Sequence, residues 1–205
     1  MGNACRRASV VDTALITAVK QGRSDAVHAL LEEEGTDVNA RDADGGTALM
    51  WAVSKNTEMV RALLAKGAAV EARNKQGRMA LHEAALKGNP EIVLALLAKD
   101  APLEARFGFG LTPLMCAVHK KTGGGMDQRR IEIIKTLLSK GANVNAKSEH
   151  RSGALCGSAE PGLSVLTMAA AYGHAQVVQV LLDNGAVYDK TASKLARDRG
   201  NFELC

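Results

Sequence analysis

The sequence predicts an all-α protein, a solenoid of stacked helix pairs. Three observations predict it. First, one design recurs along the 205 residues: "TALITAVKQGRSDAVHALLEEEGTDVN" (13–39), "TALMWAVSKNTEMVRALLAKG" (47–67), "MALHEAALKGNPEIVLALLAKD" (79–100), "TPLMCAV" with "IEIIKTLLSKGANVN" (112–118, 131–145) and "SVLTMAAAYGHAQVVQVLLDNGAV" (164–187). Second, hydrophobic residues make up 46% of the chain but aromatics only 3%. The core must then be Ala, Leu, Val and Ile, which favours closely packed helices. Third, apolar residues inside one unit fall at helical spacing. Ala80, Leu81, Ala84 and Ala85 make a small face, and Ile92, Val93, Leu96 and Leu97 make a second.

The elements follow in order. Residues 1–10 are expected to form a flexible leader, and 11–20 the first inner helix, capping the stack. In the third unit Gly88 ends one helix, because a left-handed residue is tolerated at a helix end when it is glycine. Pro90 suits the first turn of the next helix, and Glu91 suits its positive end. A polar link, "KDAPLEARFGFG" (99–110), follows. Two units differ from the standard length by one residue, near Glu32–Glu34 and near Asn56. The fourth carries an insertion at 122–129, "TGGGMDQR", and a second insertion at 149–160 reads as a Gly- and Ser-rich loop. The link "AVYDKT" (186–191) is too short for the usual finger, and "TASKLARDRGNFELC" (191–205) is a truncated last unit. One helix pair cannot bury its own faces, so neighbours must stack.

These units resemble the ankyrin repeat, with its period of about 33 residues and its T-P-L-H-x-A start. The resemblance covers 11–205, about five full repeats and a truncated unit. It implies short β-hairpin-like links and a non-enzymatic role, a protein partner being met on the hairpin tips and the exposed ends of the inner helices. Transferred repeat by repeat, those positions are Ala43, Asp44, Ser54 and Lys55; Lys75, Gln76, Arg78, Leu86 and Lys87; Phe107, Phe109, Leu111, His119 and Lys120; Ala171 and Tyr172. The middle of this set is basic, and Phe107, Phe109 and Tyr172 are its aromatic anchors. The alternative is that the basic groups only solubilise the face and a phenylalanine tucks into a neighbouring repeat. His82 and His174 match the family's turn histidines.

Other chemistries find little support. A net charge of +4 is mild. It favours an acidic partner or an anionic surface over nucleic acid, and so few aromatics leave little to stack on bases. Cys5, Cys116, Cys156 and Cys205 are dispersed with no CxxC pair. That argues against a disulfide framework or zinc site and for a reducing, cytoplasmic setting. "HEAAL" (82–86) is half of a zinc motif, with Leu86 where the second histidine must stand. "TGGGM" (122–126) lacks the Lys-Ser or Lys-Thr of a phosphate loop. No cofactor, metal, catalytic residue or small-molecule substrate is expected. No apolar run reaches the roughly 20 residues of a membrane span.

The leader "MGNACRRASV" (1–10) looks like the MGxxC start of dually acylated proteins, which implies myristate on Gly2 and palmitate on Cys5. Arg6 stands where the myristoylation pattern has Ser or Thr. One myristoyl chain binds membranes with only about 10⁴ M⁻¹, so a second signal is needed. Arg6 and Arg7 would each add about 1 kcal/mol at an anionic leaflet. "RRASV" (6–10) is similar to a cyclic-AMP-dependent kinase site, and phosphate on Ser9 would offset that attraction. The expected protein is an adaptor peripheral on the cytoplasmic face of a membrane. The alternatives are a soluble ankyrin scaffold or inhibitor with an unmodified N-terminus, and an enzyme whose site is built from the two insertions.

Overall fold

A computed structural model describes residues 14–119, 128–149, 162–172, 174–188 and 190–198. They form eleven helices: α1 (14–21), α2 (Ser24–Glu32), α3 (Ala48–Ala52), α4 (Thr57–Ala65), α5 (Ala80–Lys87), α6 (Pro90–Leu97), α7 (Pro113–Val118), α8 (Gln128–Ser139), α9 (Val165–Ala171), α10 (Ala175–Asp183) and α11 (Lys190–Asp198). Odd-numbered helices are the inner members of each pair. The chain divides into two units, 1–84 with 91–102, and 85–90 with 103–205.

The repeat starts work as helix caps. Thr47, Thr112 and Ser164 each accept a hydrogen bond from the backbone N–H three residues on. Asn56 does the same for α4. Each such cap contributes about 1 kcal/mol. The third repeat has Met79 at this position, and there His82 Nδ1 accepts from Met79 N–H at 3.3 Å. His82 is 1% exposed, so its turn-holding role is structural. Gly88 closes α5 with φ +77°, and Pro90 opens α6, as their chemistry predicts.

In the first unit α2 and α3 pack on α4. Leu15, Val19, Val27, Leu49, Met59, Leu63, Leu81, Ile92 and Leu96 are buried there. Fingers are tied to neighbouring fingers through the backbone. Asn39 accepts from Ala69 N–H at 2.7 Å and donates to the Gly67 carbonyl, while Lys75 N–H donates to the Asp44 carbonyl at 2.9 Å.

In the second unit α7 packs on α8, and α9 packs on α7, α10 and α11. Asn145 repeats the work of Asn39, accepting from Val187 N–H and donating to the Gly185 carbonyl. Ala170 of α9 meets Ala192 of α11 with Val178 against both, so small side chains let these helices approach. Among the described residues the links form isolated bridges, Phe107 with Leu111 and Lys147 with Ser164.

Helix α8 begins at Gln128. Gln128 and Arg129, assigned from sequence to the first insertion, are therefore helical. The rest of that insertion, the second one beyond Glu149, residues 1–13 and residues 199–205 lie outside the described residues.

Candidate functional site

The first unit holds a cavity of about 300 Å³, lined among others by Asp44, Ser54, Lys75, Gln76, Arg78 and Glu83, with Met50, Trp51 and Met79 as its apolar contribution. Two finger tips supply one wall, and α3 with the start of α5 supplies the other. The tips hold their shape by side-chain-to-backbone bonds. Asp42 Oδ1 accepts from Asp44 N–H at 3.0 Å and Gly46 N–H at 2.8 Å; Asn74 Oδ1 accepts from Gln76 and Arg78 N–H. This is the short-range turn chemistry of Asx residues.

Trp51 is set by the same carboxylate. Its indole Nε1–H donates to Asp42 Oδ2 at 2.9 Å, and Lys20 Nζ donates to that oxygen at 2.9 Å. The Lys20 ammonium also lies 4.2 Å from the Trp51 ring centroid, a cation–π distance. Burial alone would raise the Asp42 carboxyl. Bonds from Lys20, Gly46, Trp51 and Asp44 outweigh it and hold the carboxyl below its ordinary value. Trp51 remains 37% exposed. Arg78 Nη1 donates to Glu83 Oε2 at 3.0 Å, so this pair of lining charges neutralises itself.

Of the residues expected at the interface, Asp44, Lys75 and Arg78 meet at this cavity, with Ser54 and Gln76 from the wider set. Lys55, next to Ser54, is exposed, as is Ala43. The others belong to the second unit. Lys87, the last residue of α5, is exposed, and Leu86 is half-buried. Phe109 is 44% exposed at its finger tip, while Phe107 is half-buried. Leu111 is only 6% exposed. Its backbone pairs with Phe107 in both directions, at 3.2 and 3.0 Å, which folds the finger and turns Leu111 inward. It is therefore a core residue, not a contact residue. Ala171 is buried too.

His119 and Tyr172 are both half-buried and meet edge to face, with centroids 5.7 Å apart; Tyr172 also neighbours the buried His174. Burial first, and the Arg130 guanidinium second, hold His119 below the usual histidine range. Lys120, Gly2, Cys5 and Ser9 lie outside the described residues. Cys116 lies buried in α7 as a small core residue. Among the described residues no cluster of His, Cys, Asp or Glu could hold a metal ion, and no helix is long and apolar enough to cross a membrane.

Sequence reasoning missed Trp51, Lys20 and Asp42. A signal existed: Trp51 is the one tryptophan of an aromatic-poor chain, placed just after the position that His82 occupies in the next repeat. It also missed Arg130. That arginine falls in the apolar register of "RRIEIIKTLL" (129–138), with Ile133, Ile134 and Leu137.

Comparisons with known proteins agree with this geometry. The family model for ankyrin repeats in three copies matches residues 4–74 and 56–148, and that for the single ankyrin repeat matches 162–192. The chain is similar to ankyrin repeat and KH domain-containing protein 1 of Homo sapiens, 37% identical over 86 residues, which is 38% of this chain. It spans only 3% of that relative's length. Ankyrin repeats are protein-interaction scaffolds, and the matched segments cover most of this sequence. The chain belongs to the ankyrin repeat family.

Proposed function

We propose that this chain is a non-enzymatic adaptor that captures a protein partner on its finger tips and inner-helix ends, with the groove of the first unit as the main contact. One observation carries the reading: Trp51 is exposed yet held in place by Asp42 and Lys20 beside an open cavity. An aromatic anchor fixed before binding loses little freedom on association, and such residues dominate interface energies. The cavity is at the small end for a cofactor or drug-sized ligand. An acidic partner is not part of the proposal, because Lys20 pairs with Asp42 and Arg78 with Glu83.

The test is a photo-crosslinking amino acid at Gln76 in the groove, compared with one at Glu58 on the outer helix α4, in cells. Discrete crosslinked proteins from Gln76 and none from Glu58 support the reading. Equal labelling from both positions refutes it.

The leader adds a location. Myristate on Gly2 and palmitate on Cys5, with Arg6 and Arg7 against anionic lipid, would tether the adaptor to the cytoplasmic face of a membrane; phosphate on Ser9 would weaken the charge contribution. The sequence "MGNACRRASV" supports this. Intact-mass spectrometry of protein made in eukaryotic cells, beside Gly2→Ala, tests it. An unmodified N-terminus and unchanged fractionation remove the tether and leave a soluble scaffold.

A further inference from the structure

We infer that the groove of the first unit takes one uncharged, apolar side chain from an extended peptide segment of the partner, and selects against strongly charged segments. The inference rests on the adaptor reading and specifies its chemistry. Size comes first. About 300 Å³ is room for a side chain or two, not for a folded element.

Floor chemistry comes second. Met50 and Trp51 of one repeat line the cavity with Met79 of the next, Met50 half-buried and Met79 almost wholly buried behind the surface. Methionine adapts its shape to aliphatic and aromatic groups alike. The tryptophan beside them donates one hydrogen bond to the Asp42 carboxylate, which Lys20 also holds, so part of the pocket adapts and part does not.

Charge comes third, and it decides the class of partner. The cavity is lined by Asp44 and Glu83 against Lys75 and Arg78, a balanced set. Arg78 and Glu83 are consumed by their own ion pair at 3.0 Å. The adjoining Asp42 and Lys20 cancel in the same way at 2.9 Å. What remains is one acid, Asp44, and one base, Lys75, both exposed at the finger tips. Such a rim offers no net attraction to a run of carboxylates or of ammonium groups, and burying an uncompensated charge there would be costly. Ser54 and Gln76 supply uncharged hydrogen-bonding groups at the edge, matched to the backbone amides of an extended segment.

The probe is a phage-displayed library of random peptides, selected on the full chain at physiological salt. The expected binders share one Leu, Met or Phe position, show no charge enrichment, and shift the emission of Trp51. Ser54→Arg fills the mouth of the cavity from an exposed position, and it should weaken those binders at least about tenfold. Lys75→Glu should change them about fivefold or less, the range of an exposed ion pair. Unchanged circular dichroism and melting of both variants show that the fold is kept. Carboxylate-rich binders lost on Lys75→Glu and at high salt overturn the inference while leaving the adaptor standing. Binders indifferent to Ser54→Arg and silent in Trp51 emission do the same, because they use another face. A library that yields no binders overturns both.

Discussion

Replacing Arg130 with methionine should cost about 2–3 kcal/mol of stability, and the reason lies in two carbonyls. Arg130 of α8 is 4% exposed. Its Nη1 donates to the Ala117 carbonyl at 3.0 Å, and its Nη2 donates to the Leu86 carbonyl. Those oxygens end α7 and α5, the negative poles of two inner helices, where a cation is favoured. Methionine keeps the apolar stem but removes both donors. Each buried acceptor left short of a partner costs about 1–3 kcal/mol, so the gross loss is about 2–6. Two effects lower it. Leu86 is half-buried, so water can replace that bond, and the cost of desolvating the guanidinium is removed as well. The lower end of the range, about 2–3 kcal/mol, is therefore expected. Urea unfolding followed by far-ultraviolet circular dichroism measures it, with the slope unchanged from wild type. Arg130→Lys should fall between the two, because one ammonium lacks the fork that serves both carbonyls. A change in Arg130→Met below about 0.5 kcal/mol, or a gain, would falsify the capping argument, since desolvation would then outweigh the bonds.

Asp42→Asn should move Trp51 emission and lower stability by about 1–2 kcal/mol, since the amide nitrogen that replaces one oxygen cannot accept from Lys20 or Trp51; unchanged emission would show that the carboxylate does not set the ring. The Asp42 carboxyl is held low in the folded protein, so its contribution is present above the unfolded value and is lost as pH falls through the folded one. An acid titration of Trp51 emission should accordingly have its midpoint below the ordinary carboxylate value. Gly110→Ala should cost about 2–4 kcal/mol, because φ is +77° and a Cβ would sit 2.8 Å from Glu149 N; thermal melting checks it, and a neutral result would remove the close approach of that finger to 149. His119 is held low, so stability is present above the unfolded histidine value and falls as pH drops through it toward the folded one. Proton NMR should find its titration below the usual range, and raised, though still low, in Arg130→Met, because burial remains.

The repeat itself was legible because backbone spacing decides it. A hairpin with two apolar stripes has one way to bury them, against the next hairpin, and the caps at Thr47, Thr112 and Ser164 mark where each inner helix starts. Where local chemistry was self-contained, as at Gly88–Pro90, the residue types alone predicted the structure, and at His82 the resemblance to the family's turn histidine did. Side-chain direction at the finger tips was not legible in the same way. Asp42 and Asn74 hold their tips with Asx bonds, but Phe107 stands at that position in the next finger, and its backbone pairing with Leu111 turns a predicted contact residue inward. Arg130 was hidden inside an apolar register, because its partners are carbonyls of helices 13 and 44 residues away. Likewise Lys20, Asp42 and Trp51 come from separate elements, and no local pattern joins them.

The most direct measurement is hydrogen–deuterium exchange of the full chain, free and bound to the protein captured by the Gln76 crosslinker. The account predicts slowed exchange at 42–55 and 74–83, with the outer helices α4 and α6 unchanged. Protection confined to α4 and α6, with the finger tips exchanging as in the free chain, would contradict it.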